Sequence, residues 1–62
     1  MIAEKIKSYI DAKGIKQSAI SRGTGINSTS LSLSFSGKRR LTAEEFVLIC
    51  DFLEVPYGKF VE

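Results

Sequence analysis

The fold is decided by one stretch of the sequence, Gln17-Ser-Ala-Ile-Ser-Arg-Gly-Thr-Gly25-Ile-Asn27-Ser-Thr-Ser-Leu31-Ser-Leu-Ser-Phe35. It predicts two short helices joined by a tight turn, the first over about residues 17–24 and the second over about residues 28–36. Gly25 is placed to make the turn with a positive φ, and Asn27 is a good N-cap for the second helix. The apolar contacts expected between the two come from Ile20, Ile26, Leu31 and Phe35.

The second of these helices has a competing interpretation as a strand. Residues 30–36 alternate serine with Leu31, Leu33 and Phe35, and a period of two is typical of strands. A lone strand would leave its backbone groups unpaired, and the sequence offers no second strand nearby. Leu31 and Phe35 are also four residues apart, which places them on one side of a helix. We therefore favour the helix.

The segments on either side predict further helices. Residues 2–13 have apolar positions at helical spacing, and Gly14 is placed to end that first helix. Gly37 ends the helix of residues 28–36, and Thr42 with Glu45 forms a capping-box pattern that starts a fourth helix. The inward positions expected in the first and fourth helices are Ile2, Ile6, Tyr9, Ile10, Phe46, Ile49, Cys50 and Leu53.

The last residues complete the predicted fold. Pro56 fits the first turn of a short final helix, in which Phe60 and Val61 would close the core. The chain is of a size that makes one small core. We therefore predict an all-α fold, a compact bundle of about five short helices, with residues 1–62 forming a single domain.

Composition argues against several classes of function. The 62 residues contain no histidine and one cysteine, Cys50, so we expect no metal site and no internal disulfide. The serines have no evident base, no carboxylate pair has a convincing spacing, and Gly23-Thr-Gly25 does not follow a predicted strand. We predict no enzyme, no catalytic residue, no cofactor and no small-molecule substrate. No apolar run approaches a membrane span and the N-terminus lacks a signal-peptide profile, so we expect a cytoplasmic protein.

The charges are divided unevenly along the chain. The net charge is only +2, but residues 1–40 carry +6 and residues 41–62 carry −4. A small domain with a basic part and an acidic part presents a preferred face to a polyanion. Chance unevenness is the alternative interpretation.

Several landmarks in register resemble one known family. They are Gly14-Ile15-Lys16-Gln17, Gly25-Ile26, Leu31 with Phe35, Gly37-Lys38-Arg39 and the pattern Phe46-x-x-Ile49-Cys50-x-x-Leu53-x-Val55. Together they resemble the helix-turn-helix of lambdoid phage repressors and Cro-type regulators. The resemblance implies a transcriptional regulator, most simply a repressor, in a bacterial or phage-infected cell. Its partner would be double-stranded DNA, with the helix of residues 28–36 inserted in the major groove.

The resemblance also implies roles for individual residues. Gln17 would contact phosphate, Ser28 and Thr29 would read bases, and Asn27 would cap the helix or touch the DNA backbone. The helical wheel places Thr29 and Leu33 opposite the inward residues, with Ser32 and Ser36 to one side. The predicted base-reading set is Ser28, Thr29, Ser32 and Leu33. The predicted phosphate or flanking set is Lys16, Gln17, Asn27, Ser36, Lys38, Arg39 and Arg40.

Some of these residues have a second interpretation. Leu33 is either a single exposed leucine without special meaning or a contact for a thymine methyl group. The serines and the run Lys38-Arg39-Arg40 are otherwise a solvated face and a solvated loop. Small hydroxyls discriminate weakly between base edges, so we expect modest base selectivity. The sequence departs from the family's usual residues at Ser21, at Gly23 and at Glu54, which stands where a glycine commonly ends the fourth helix.

The fourth helix predicts a second surface. With its inward residues placed, Leu48 and Phe52 face away, and Tyr57 follows close by. Exposed apolar residues on so small a domain indicate an interface, and a symmetric homodimer would set two reading helices about one DNA turn apart. The last helix could instead cover Phe52. The alternative function is a protein-interaction module, such as an antitoxin or anti-repressor with the same fold.

Overall fold

The computed structural model of the chain describes residues 2–61. Four α-helices follow one another: α1 (Ile2–Lys13), α2 (Gln17–Thr24), α3 (Ser28–Phe35) and α4 (Ala43–Leu53). The all-α prediction is confirmed, and no strand occurs in this part of the chain. The expected fifth helix is a 3-10 helix, Tyr57–Phe60, of four residues. A segment this short commonly adopts the tighter 3-10 turn, so the prediction of about five short helices is corrected to four α-helices and one 3-10 helix.

The core confirms that α3 is a helix. Leu31 is fully buried and Phe35 nearly so, whereas Leu33 between them is 40% exposed. A strand would have put all three on one face. The buried apolar residues come from all five helical elements and from the α2–α3 turn; they are Ala3, Ile6, Ile10, Ile20, Ile26, Leu31, Phe35, Ile49, Cys50 and Phe60.

Two predicted core positions are wrong. Ile2 is exposed and Ala3 is buried in its place, because at 100° per residue Ala3 lies within about 20° of the buried Ile10 around the helix, whereas Ile2 lies about 80° away. Val61 is also exposed. Phe60 closes the core instead, with its ring edge-on to Tyr9 at a centroid distance of 5.6 Å.

Three helices end in the same backbone motif. The left-handed residues are Gly14 after α1, Gly37 after α3 and Glu54 after α4, with φ of 72°, 82° and 57°. In each case that residue and the next donate their amides to carbonyls of the last helical turn at 2.8–3.2 Å. This is the Schellman arrangement, which favours glycine at the left-handed position. Glu54 is the single non-glycine residue with positive φ among residues 2–61.

The turn between α2 and α3 is held by side chains as well as by Gly25, which has a φ of 79°. The Ser21 hydroxyl donates to the Ile26 carbonyl at 2.6 Å. The Thr24 hydroxyl donates to the Ile20 carbonyl at 2.6 Å and accepts from the Ile26 amide at 3.2 Å. Ser21 therefore contributes a hydrogen bond that an alanine could not make, and two side chains of α2 hold Ile26 in the turn.

No helix in the described part of the chain combines the length and the apolar character that a membrane crossing requires.

Candidate nucleic-acid interface

The start of α3 is fixed by Asn27. Its side-chain oxygen accepts from the amides of Thr29 and Ser30 at 2.8 and 3.3 Å. This is the N-cap predicted from the sequence, and it satisfies two amides that a helix leaves without partners. Asn27 itself is exposed. The cap thus holds the first turn of α3 rigidly at the surface.

The outer side of α3 carries the four residues predicted to read bases. Ser28, Thr29, Ser32 and Leu33 are all exposed. They form two pairs four residues apart, so they share one stripe along the helix. Three of them offer hydroxyl groups that both donate and accept, and Leu33 adds an apolar contact. We call this stripe the α3 face.

The residues predicted to contact the DNA backbone are also at the surface, with differences in burial. Lys16, Asn27, Ser36, Lys38 and Arg40 are exposed, while Gln17 is half-buried at the start of α2. Lys16 makes no side-chain cap of α2. The Ser36 hydroxyl donates to the Leu33 carbonyl at 3.0 Å.

Arg39 differs from its two basic neighbours. One of its terminal nitrogens donates to the Ser34 hydroxyl at 2.9 Å and to Glu45 Oε1 at 3.0 Å, and the other donates to Glu45 Oε2 at 2.9 Å. Its side chain is 30% exposed. Hydrogen bonding to Glu45 raises the pKa of the Arg39 guanidinium. The sequence places Arg39 among the phosphate-binding residues, but the structure gives it two partners within the protein.

Glu45 belongs to the capping box that starts α4, as predicted. The Thr42 amide donates to Glu45 Oε1 at 3.0 Å, and the Glu45 amide donates to the Thr42 hydroxyl at 3.1 Å. The hydrogen bond from Arg39, above all, holds the pKa of the Glu45 carboxyl below its ordinary value, and the Thr42 amide acts in the same direction. The carboxylate therefore stays charged and fixed beside the loop of residues 36–42.

Sequence reasoning missed Ser34. It is fully buried, and it accepts the hydrogen bond from Arg39. A signal was present, because Ser34 follows Leu31 by three residues and precedes Phe35, so a helical wheel places it beside the inward stripe. The many serines of α3 obscured it.

The three predicted interface residues are at the surface, two of them on the outer side of α4 and Tyr57 at the start of the 3-10 helix. Leu48, Phe52 and Tyr57 are 38%, 37% and 50% exposed. The Tyr57 hydroxyl donates to Asp51 at 2.8 Å, and this bond raises the pKa of Tyr57. Phe52 lies against Gly23 of α2, where a Cβ atom would overlap its ring. Phe52 therefore packs on α2, and Gly23 makes room for its ring.

Cys50 is a free, fully buried thiol, and burial raises its pKa, which suits a core residue. Residues 2–61 contain no cluster of His, Cys, Asp and Glu that could hold a metal ion.

Comparison with known proteins agrees with this geometry. A helix-turn-helix family model matches residues 6–60, which include most of α1 and the whole of the other four helical elements. No curated protein and no solved structure matches the chain. The family resemblance noted from the sequence is confirmed by the first of these findings. The chain belongs to the helix-turn-helix family of DNA-binding regulators, of the lambda-repressor and Cro type.

Proposed function

We propose that the protein is a transcriptional repressor that inserts α3 into the major groove of double-stranded DNA. The observation that carries the proposal is the division of α3 into two sides. Leu31, Ser34 and Phe35 are buried, while the stripe from Ser28 to Leu33 on the other side is exposed and capped by Asn27. An α-helix held in this way fits the width of the major groove.

Base recognition would come from the α3 face. Hydroxyls of Ser28, Thr29 and Ser32 are short, so α3 can approach the groove floor closely. They fit several base edges and therefore discriminate weakly. Leu33 would pack on a thymine methyl group and add preference at one position. Base selectivity is thus expected to be modest, and much of the affinity would come from contacts with the DNA phosphates.

Backbone contacts would come from both sides of the α3 face. Lys38 and Arg40 are exposed directly after α3, and Lys16 and Gln17 are at the start of α2. The first amides of α2 have no side-chain cap from Lys16, and such amides favour a phosphate oxygen. Three basic side chains and the start of one helix would then bind neighbouring phosphates of the DNA backbone.

A homodimer on DNA completes the proposal. The outer side of α4 exposes Val47, Leu48 and Phe52 on one helix. A two-fold contact between these surfaces would bury them and present two α3 helices to one side of a duplex. Cytoplasmic location, in the nucleoid when bound, follows from this function.

The proposal is tested by in vitro selection from random duplexes, followed by binding measurements at several salt concentrations. Lys38→Gln and Arg40→Gln should each weaken binding to all sequences and lower the salt slope by about one, since each phosphate that is no longer neutralised lowers it by roughly one. Lys59→Gln is the matched control, since it removes the same charge from the 3-10 helix and should leave the slope unchanged. Absence of binding at low salt, or equal effects of the three changes, would refute the proposal.

The apolar outer side of α4 favours a second candidate, a protein-interaction module such as an antitoxin or anti-repressor. Leu48→Asp separates the two functions better than a change at Phe52, because Phe52 packs on Gly23 and its replacement would also alter stability. A module would lose its partner and show no DNA binding. A DNA-binding repressor would retain α3-dependent binding, weakened because the second half-site is no longer engaged.

A further inference from the structure

The Arg39 side chain connects two helices across the loop that separates them. Ser34 on α3 accepts from one terminal nitrogen of Arg39 at 2.9 Å, and Glu45 in the first turn of α4 accepts from both at 2.9–3.0 Å. Glu45 also holds Thr42, the N-cap of α4. Arg39, in the middle of the loop of residues 36–42, is therefore hydrogen-bonded both to α3 and to α4.

The neighbours of Arg39 in this loop are in a different situation. Lys38 and Arg40 are exposed, and the side chain of neither has a hydrogen bond or ion pair with any of residues 2–61. Three basic residues in a row thus divide into one that is held inside the protein and two that are presented to solvent. The held residue stands between the two presented ones.

We propose that Arg39 is a positioning residue, which fixes the loop between α3 and α4 so that Lys38 and Arg40 meet the DNA backbone, and that it does not bind phosphate itself. This inference rests on the proposed DNA-binding function and assigns Arg39 a role that the sequence does not indicate. It also makes Ser34 and Glu45 part of the DNA-binding apparatus, although neither would touch DNA.

The chemistry of the pair opposes a second role for Arg39 as a phosphate ligand. A bidentate guanidinium–carboxylate pair is geometrically matched, and three of the five Arg39 donor positions are already used. Turning Arg39 toward a phosphate would exchange one anion for another. It would also leave the Glu45 carboxylate unpaired beside the polyanion and Ser34 buried without this donor.

If Arg39 is a positioning residue, replacing Glu45 should weaken DNA binding, whereas the change in net charge alone predicts tighter binding. Glu45→Gln and Glu44→Gln each remove one negative charge from the first turn of α4, so net charge alone predicts tighter DNA binding for both. If Arg39 positions the loop, Glu44→Gln should bind as tightly as wild type or slightly better. Glu45→Gln should bind on the order of tenfold more weakly, because a glutamine cannot accept both Arg39 donors as the carboxylate does.

Two changes on the other side of the ion pair complete the experiment. Arg39→Lys keeps the charge and could still bind a phosphate, but it cannot make the forked interaction that orders the loop before DNA is bound. Binding should weaken on the order of tenfold, because the loop must then be ordered on binding. The salt slope should stay that of wild type, because Lys38 and Arg40 still neutralise the same phosphates in the complex. Ser34→Ala leaves the ion pair in place and removes only the link to α3, and it should weaken binding at an unchanged slope. All variants are compared at a temperature where circular dichroism shows each to be fully folded, so that reduced stability does not enter the affinities.

The outcomes separate this inference from the proposed function. If the wild type binds no DNA, the proposed function fails and the positioning role falls with it. If the wild type binds, and Glu45→Gln binds more tightly or Arg39→Lys binds as the wild type does, Arg39 is an ordinary phosphate ligand and the inference is overturned. Weaker binding by Glu45→Gln, Arg39→Lys and Ser34→Ala at constant salt slope supports it.

Discussion

Leu33 and Phe52 have nearly the same exposed fraction, but they differ in what their side chains pack against. Leu33 on α3 is 40% exposed and Phe52 on α4 is 37% exposed. Leu33 stands among hydroxyls on a helix whose opposite side is the core. Phe52 rests on Gly23 of α2, so close that no side chain fits beneath its ring. The exposed fraction alone therefore does not tell a binding surface from a packed one.

The difference divides the molecule into two kinds of surface. Substitutions on the α3 face should change recognition and leave stability nearly untouched, because surface positions without special interactions are tolerant. Substitutions at Phe52 should change the stability of the fold, since its ring joins α4 to α2. Any effect on dimerisation should come in addition to this loss of stability. Matched changes at the two places should therefore differ in the free energy of unfolding.

The largest effect on the free energy of unfolding is expected for Leu31→Ala, with Leu33→Ala as the comparison. Leu31 is fully buried, and its truncation should lower the free energy of unfolding by about 2–5 kcal/mol, which is most of the stability of so small a domain. Leu33→Ala should change it by less than about 0.5 kcal/mol. Urea denaturation followed by circular dichroism measures both. Equal effects would mean that α3 does not have one inner and one outer side.

Phe52→Ala should give the next largest decrease in the free energy of unfolding. Truncation of a fully buried phenylalanine costs about 3–5 kcal/mol, and a ring covered on one side should account for roughly 1–2 kcal/mol. Leu33→Ala again serves as control, because its side chain has nearly the same exposed fraction. If both changes have the same small effect in urea denaturation, Phe52 belongs to a free surface and its packing on Gly23 contributes nothing.

Gly23→Ala tests that packing from the side of α2. In the Phe52→Ala background the change should stabilise the protein by about 1 kcal/mol, because alanine favours the helix over glycine. In the wild type the new methyl group meets the ring of Phe52, and overpacking of this kind costs about 1–3 kcal/mol. The cost therefore cancels or exceeds the helical gain in the wild type, and thermal denaturation should show stabilisation only in the Phe52→Ala background. Stabilisation by the same amount in both would show that the ring moves aside freely.

Local signals in the sequence predict the helices and their ends well. Asn27 and the Thr42–Glu45 pair each satisfy backbone groups within three residues of themselves, and so the cap can be read without knowing the fold. The same holds for Gly14 and Gly37, since the left-handed residue follows directly from the end of a helical pattern. The four-residue spacing of Leu31 and Phe35 is enough to favour helix over strand.

Interactions between elements could not be read in this way. Three adjacent basic residues look alike in the sequence, and only the path of the loop decides that Arg39 turns to Glu45 while Lys38 and Arg40 stay exposed. Gly23 looks unfavourable within α2 until Phe52 of α4 is placed over it. In both cases the reason for the residue lies on another helix, and so local propensity gives no sign of it.

The smallest effect is expected at the end of α4, where Glu54 adopts the left-handed conformation that glycine adopts after α1 and α3. A residue with a Cβ atom is disfavoured there by about 1–2 kcal/mol, but glycine also increases the entropy of the unfolded chain, which offsets roughly 0.4–1 kcal/mol. Glu54→Gly should therefore stabilise the protein by about 0.5–1 kcal/mol. The change alters neither the surface around Leu33 nor the packing of Phe52. Gly37→Ala is the reverse change in the same motif and should destabilise it. Thermal denaturation of the pair measures both, and reduced stability in Glu54→Gly would mean that the glutamate side chain makes an interaction that outweighs its backbone strain.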